Sequence, residues 1–331
     1  MLKRTIEQLL LKKNLSSEES TLAIHQIFTE ANSYQIAAFF MLMRAKGETI
    51  DELFGIIEGM RHFMIPIEIQ FPVLDIVGTG GDGAHTLNIS TASAILAASC
   101  GVKIAKHGNR SVSSLCGSAD VLEVLGINIE DAPEKISLCI KDVGIGFLFA
   151  PAFHPALVHL KEIRKGLGIR TFMNIIAPLL NPARAQYLML GVYSEELLEV
   201  CASLLMRLSI NKAFVFHGSG LDELSCIGPS KVLEVSKEGI RSFDIDPLEL
   251  GLKRCNLQDL KGRDAHYNAQ KILEAFNGEP SAFADTIALN AGVALYLYGK
   301  SQSIIEGIEI AQSHLKEKKA SEFLKRWKDY A

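Results

Sequence analysis

Val73-Leu-Asp-Ile-Val77, running directly into Gly78-Thr-Gly-Gly-Asp-Gly83, decides the fold of this 331-residue chain. A short apolar run that stops abruptly at glycines reads as a buried parallel strand delivering a tight loop. Glycines there let backbone N–H groups approach an anion closely. Thr86-Leu-Asn-Ile-Ser-Thr91 follows and leads into the Ala-rich run Ala92 to Ser99, a helix expected to have Ser90 or Thr91 near its N-cap. Free N–H donors and the positive dipole end at such a terminus favour phosphate. A second apolar strand, Val102 to Ala105, then delivers Lys106-His-Gly-Asn-Arg110 and Ser111-Val-Ser-Ser114, a loop of donors suited to ribose hydroxyls and pyrophosphate oxygens. The next helix opens at Gly117-Ser-Ala-Asp120 and closes at Gly126.

Each signal alone is ordinary, since a glycine-rich loop is often a bare turn and Lys106 or Arg110 a solvated charge. Two strand–loop–helix units in succession, both ending in phosphate-type chemistry, point to a pocket for a phosphorylated, Mg-bound substrate. The spacing matches neither G-x-G-x-x-G nor G-x-x-x-x-G-K-[ST], so neither nucleotide fingerprint applies.

The rest of the chain fits a large α/β enzyme. With 48% apolar residues it can bury a sizeable core in one large or two intimately packed domains. A formal charge of −4 argues against a generally nucleic-acid-binding surface. The Lys-rich stretch Leu315 to Ala320 reads as a solvated helix face. Six cysteines without C-x-x-C spacing indicate neither zinc nor a disulfide framework and fit reduced thiols in a cytoplasm. Cys116 lies in the suspected substrate loop, but no mechanism here needs a nucleophile. The first residues lack a secretory signal, and no apolar run is long enough for a bilayer.

Residues 1 to about 70 read as helices only. Ser16-x-x-Glu19 and Thr49-x-x-Glu52 are capping boxes, and Gly47 is a stop. Ile24, Ile27, Phe28, Phe39, Phe40 and Leu42 are too many apolar residues for small isolated helices, so part of that surface is expected to meet another domain or subunit. From Val73 onward strands alternate with helices, with further strands expected at Ile145 to Phe149, Lys212 to His217 and Arg241 to Asp244. Pro155 to Lys165 reads as helical, and two prolines punctuate Phe172 to Pro182.

These motifs resemble the anthranilate phosphoribosyltransferase family of tryptophan biosynthesis. Gly78-Thr-Gly-Gly-Asp82, Asn88-Ile-Ser-Thr91, Lys106-His-Gly-Asn-Arg110, Gly117-Ser-Ala-Asp120, Arg164 to Thr171, Asn174 to Ala183, His217 to Leu224 and Asp285 to Tyr296 run in family order. The resemblance implies the nucleoside phosphorylase/phosphoribosyltransferase architecture: a small all-helical domain plus a large domain with a central, mostly parallel sheet flanked by helices. The expected helical domain is residues 1–72 with about 165–190 returning to it; 73–164 and 191–331 form the α/β domain. A homodimer through the helical domain is implied, with no nucleic acid and no membrane partner.

The implied reaction moves phosphoribose from 5-phosphoribosyl-1-pyrophosphate to the anthranilate amine. Stabilising the departing pyrophosphate is then the main task, and Mg²⁺ suits it. Asp222 and Glu223, directly after the strand ending at His217-Gly-Ser-Gly220, sit on the edge where open α/β sheets form binding crevices and are the metal candidates, with Ser90 added by resemblance. The donor site implied is Gly78, Gly80, Gly81, Asp82, Thr86, Asn88, Ser90, Thr91, Lys106 and Ser118. Asp82 is expected at ribose hydroxyls, at metal-bound water, or simply in a turn bonding its own backbone. Anthranilate needs a positive fork and apolar walls; Arg164 is the implied fork, with Gly78, Asn109 and His154. The acceptor amine is neutral near pH 7, so His107 is positional rather than catalytic. Two other readings keep parts of this pattern: a pyrimidine nucleoside phosphorylase-like enzyme, and a non-catalytic nucleic-acid-binding homologue.

Two positions depart from the family pattern. Arg263 stands within Gly262-Arg-Asp264, where the family has Gly-Gly-Asp. Ala177 stands where the family has glycine before Pro178, in a segment lining the acceptor's path. Ala177→Gly is expected to lower the anthranilate KM while leaving the donor KM unchanged; an unchanged anthranilate KM in steady-state assays would remove that idea.

Overall fold

The computed structural model describes residues 2–111 and 115–330, so Val112, Ser113 and Ser114 of the expected donor loop lie outside the described residues. Four helices open the chain: α1 (Leu2–Leu10), α2 (Ser17–Thr29), α3 (Ser33–Lys46) and α4 (Ile50–Arg61). Both expected capping boxes form, and Asn32 with Gln35 makes a third at the start of α3. Glu52 does more than cap. Its fully buried carboxylate accepts from Leu15 N, Thr49 N and Lys46 Nζ, each at 2.8 Å, which ties three segments of the bundle together and pairs its own buried charge with that of Lys46. Gly47, at φ +88°, ends α3 in a conformation that favours glycine.

Seven strands form one sheet in the order β3-β2-β1-β4-β5-β6-β7. They are β1 (Leu74–Gly78), β2 (Ile104–Gly108), β3 (Ile145–Phe149), β4 (Tyr187–Gly191), β5 (Lys212–Gly218), β6 (Ser230–Ser236) and β7 (Gly239–Ile245). The first five are parallel, whereas β5–β6 and β6–β7 are antiparallel hairpin-like pairs. The chain leaves β1 toward β2 and β3 and then returns on β1's other side as β4. The strand order therefore reverses between β1 and β4, where open α/β sheets make their binding crevices.

The sheet corrects the sequence reading at several points. Lys106 and His107 belong to β2 rather than to a loop, because the strand stays in register with β3 through Lys106↔Phe147 and His107↔Leu148. Arg241 to Asp244 is indeed extended but lies in an antiparallel edge strand. β4 and β6 are not expected from the sequence.

Side-chain alternation along the strands sorts the core into two layers. Met189, Phe214 and Phe216 face α5 (Ile89–Ser99) and the long helix Ala282–Tyr298. Leu188, Leu190, Ala213 and Val215 face the other way, into a cluster with Ile24, Phe39, Phe40, Ile56 and Ile57 of the opening helices. The apolar excess of α1 to α4 is thus covered largely within the chain. Phe172, Met173 and Ile176 fill the same cluster, and the Phe172 ring lies 4.7 Å from Phe40 and 6.1 Å from Phe39. Lys316, Lys318 and Lys319 are solvated, as expected.

Phe172→Ala removes a ring with no solvent exposure from between two segments distant in sequence. Urea unfolding should show a loss of roughly 3–5 kcal/mol; a loss below about 1 kcal/mol would contradict this packing.

Candidate active site

The crevice begins with two glycines. Gly78 and Gly191 are register partners at the C-terminal ends of β1 and β4. A Cβ at Gly78 would collide with the Asp222 carboxylate, and one at Gly191 with the Asp222 backbone carbonyl. The two bare positions are therefore the floor on which Asp222 rests. Gly80 N donates to Asp222 Oδ2 at 2.6 Å, and Gly80, Gly81 and Gly83 all have positive φ. Positive φ at these glycines is what lets the loop turn so that the Gly80 N–H meets the acidic residue.

Glu223 is held by the start of α5. Ser90 Oγ donates to its carboxylate at 2.7–2.8 Å, and Ser90 N donates at 3.2 Å. A hydroxyl, a backbone N–H and a helix dipole thus converge on one carboxylate. Burial pushes the carboxyls of both residues up, Asp222 well above its ordinary range, and the charges of Glu223 and Asp82 add to the effect at Asp222. Ser90 and the Lys106 charge pull Glu223 back the other way. Asp82 Oδ1 accepts from Ala84 N at 2.9 Å, the turn-forming bond of the structural alternative, while its charge still faces Asp222.

Below this surface lies a buried charge network. Lys106, 3% exposed, donates through Nζ to Ile76 O at 2.7 Å. Burial lowers its pKa, and the charges of Asp75 and Glu223 oppose that shift. Asp75 has no exposure; burial raises it to about 6 against the Lys106 charge and bonds from Asn181 Nδ2 at 2.7 Å and His107 N at 3.2 Å. Each of these opposite charges faces the other and is also hydrogen-bonded, as buried charges must be.

Next to them, His107 and His154 lie 5.3 Å apart with both Nε2 atoms buried and without partners. Burial lowers both, His154 to about 4, so both rings are neutral near pH 7. Arg164 stands partly buried near the end of the helix Val158–Leu167, its guanidinium without an ion-pair or hydrogen-bond partner among the described residues. Its neighbour in this segment, Arg170, stacks 4.3 Å from Tyr193 and bonds to Gly81 O, tying the expected acceptor segment to the expected donor loop.

The remaining expected residues are committed elsewhere. Asn88 bonds to Cys116 and to Asn268, and Asn268 in turn holds Arg263 N at 2.8 Å. Arg263 lies 4.7 Å from the Tyr267 ring, which gives this departure from the family pattern a packing role. Thr86 bridges to Lys261, Thr91 is buried, and Ser118 Oγ donates to Asn109 O at 3.2 Å. Arg110 is drawn from the crevice by Glu123 and Asp120. Ala177 has right-handed helical backbone, so its extra methyl imposes no strain. Among the described residues no three His, Cys, Asp or Glu side chains form a ready metal cage.

Sequence reasoning missed Asp75, Asn181, Arg170 and Gly191. Asp75 had a signal: a charge inside an apolar run must find a partner. Gly191 had one too, since Tyr187–Gly191 stops at a glycine as β1 does at Gly78.

The arrangement is that of a two-part transferase. Residues 3–64 match the helical bundle domain of the glycosyl transferase family, and residues 70–321 match its a/b domain. Anthranilate phosphoribosyltransferase of Chlamydia caviae is 44% identical over 99% of this chain and 96% of its own length. The structure of the Thermus thermophilus enzyme superposes with TM-score 0.93 at 39% identity, covering 98% of each chain. The Saccharomyces cerevisiae enzyme, 28% identical, superposes with TM-score 0.91 in complex with PRPP and Mg and 0.90 in complex with 4-fluoroanthranilate; each match covers 99% of this chain and 97% of the yeast one. The chain belongs to the anthranilate phosphoribosyltransferase family and is an enzyme of that kind.

Because Asp222 and Glu223 hold protons more tightly folded than unfolded, their stabilising effect is present below the ordinary carboxylate range and is lost as pH rises through their raised values. In chelator, Asp222→Asn should therefore exceed the parent in stability near pH 8 by on the order of 1 kcal/mol and come close to it near pH 3.5, below the ordinary Asp value. An equal difference at both pH values in thermal unfolding would contradict the burial argument.

Proposed function

We propose that the chain transfers the phosphoribosyl group of 5-phosphoribosyl-1-pyrophosphate (PRPP) to anthranilate, giving N-(5-phosphoribosyl)anthranilate and pyrophosphate, in tryptophan biosynthesis. The carrying observation is the acidic pair Asp222–Glu223, seated on Gly78 and Gly191 at the switch point and gripped by Gly80 and Ser90. Two crowded carboxylates with raised proton affinity are a hard-oxygen donor set in need of a cation, which fits Mg²⁺ with substrate phosphates and water completing its shell. Asp222, Glu223 and Ser90 would hold it. When bound, it supplies positive charge to the leaving pyrophosphate.

The chain's own residues divide the remaining work. Gly78, Gly80, Gly81, Asp82, Thr86, Asn88, Ser90, Thr91, Lys106 and Ser118 are assigned to the donor. Lys106, desolvated and fixed, contributes a compact charge beneath the crevice. The bond from the anomeric carbon to pyrophosphate oxygen breaks with its electron pair going to pyrophosphate. The anthranilate nitrogen lone pair forms the new bond, and the nitrogen then gives up a proton. That amine is neutral already, and the neutral rings of His107 and His154 act by position rather than as strong bases. Arg164, Asn109, His154 and Gly78 are assigned to the acceptor, with Arg164 as the carboxylate fork.

We extend the reading to a homodimer built through the helical domain and working in the cytoplasm, both on the family resemblance. The helical domain is taken as residues 1–72 with about 165–190, supported by Phe172 and Met173 packing among the opening helices; Tyr187–Gly191, as β4, belongs to the sheet.

Anthranilate fluorescence should change on mixing with enzyme, PRPP and Mg²⁺, and not when any one is omitted. Arg164→Ala should raise the anthranilate KM roughly ten- to hundredfold and leave the PRPP KM within about twofold. No turnover with all three present would overturn the reaction, and an unchanged anthranilate KM the assignment of Arg164.

A further inference from the structure

A cavity of about 190 Å³ is lined by Arg61, Arg184, Leu179, Leu188, Leu205 and Ile210 among others. Arg184 and Gln186 directly precede β4, and Ile210 directly precedes β5, so the cavity opens at the N-terminal ends of strands whose C-terminal ends form the active site. Among the described residues its charged lining side chains are the two arginines.

The two guanidiniums are near enough for the Arg184 charge to disfavour that of Arg61. Arg61 Nη1 donates to Glu58 Oε1 at 2.8 Å, but its Nε is buried and has no partner. Arg184, exposed and held at φ +46°, has no ion pair among the described residues. The amides nearby cannot answer these charges. Asn181 Oδ1 accepts from Ala183 N, and Gln186 Oε1 accepts from Val73 N. The cavity therefore holds two positive groups against one carboxylate, with an orphaned buried donor and leucine and isoleucine walls. A guanidinium left this way is matched by a carboxylate fork. A fully hydrated inorganic anion would leave the apolar walls bare, while a single aromatic ring fits a cavity of about 150 Å³.

We propose that this cavity is a second binding site, for a small organic monocarboxylate whose apolar body is about one ring in size. None of its lining residues is assigned to the donor, the acceptor or the metal, although Asn181 also bonds Asp75 beneath the crevice, so the site is tested separately from the transferase reading.

The test is fluorine NMR titration of the full chain with 4-fluorobenzoate and with its uncharged counterpart 4-fluorobenzamide. Arg164→Ala isolates binding outside the crevice, and Arg184→Asn removes the cavity charge with a residue that tolerates positive φ. Arg61→Gln provides a second cavity variant, each variant being checked for an unchanged melting temperature. The expected result is benzoate binding that survives Arg164→Ala, weakens roughly tenfold or more in the cavity variants, and is at least about tenfold tighter than benzamide. Binding lost in Arg164→Ala but kept in the cavity variants, equal binding of benzamide, or no binding up to about 10 mM benzoate would each overturn the proposal.

Discussion

Two carboxylates forced together at the reversal point of a parallel sheet are the constraint on which the rest of the crevice depends. Asp222 and Glu223 are adjacent, poorly solvated and alike in charge, and each raises the difficulty of ionising the pair. The surroundings are arranged to hold them regardless. Bare backbone at Gly78 and Gly191 admits Asp222, Gly80 N–H binds it, and the first turn of α5 grips Glu223 through Ser90. Such a site stores an unsatisfied demand for a cation, which under the proposed function a cation arriving with a pyrophosphate would meet in a substrate-dependent way.

The fold makes that seat rigid from below and on both sides. Beneath it, Lys106 of β2 and Asp75 of β1 set opposite buried charges against each other, and Asn181 ties Asp75 to Ala105 O from a third segment. On one face, α5 enters a core with the helix Ala282–Tyr298; on the other, the four opening helices close over Leu188, Leu190 and Val215. The side proposed for the acceptor is lighter. Arg164, His107 and His154 carry unmet hydrogen-bonding capacity, and the segment joins the donor loop through Arg170 and Gly81. A rigid seat proposed for anion and metal, facing a less committed wall proposed for the acceptor, is the division expected when positioning supplies most of the catalysis.

The sequence is most informative where local chemistry and architecture coincide. The Val73–Gly83 stretch, the capping boxes at Ser16 and Thr49, and the Ile145–Phe149 strand can each be read from a few residues, because glycine, cap hydroxyls and apolar runs act locally. The Asp222–Glu223 pair is legible from its place after a strand, yet its partners Gly191 and Gly80 are not, since close approach between residues far apart in sequence leaves no periodic trace. Lys106 and His107 read as loop residues because their polarity hides the strand, and pairing with β3 overrides that polarity. β4 is hidden behind the Pro178 and Pro182 punctuation, although Tyr-Leu-Met-Leu-Gly is as apolar as β1. Asn88, Thr86 and Ser118 enter the proposed donor set by motif alone, and their bonds to Asn268, Lys261 and Asn109 depend on tertiary structure.

The central claim is that the acidic pair over the glycine floor is the metal seat. A crystal structure with PRPP and Mn²⁺, located by anomalous scattering, tests it most directly. The account predicts a manganese peak bonded to oxygens of Asp222 or Glu223 and of pyrophosphate, close to Ser90. Pyrophosphate bound in the crevice with every manganese peak remote from both carboxylates would contradict it.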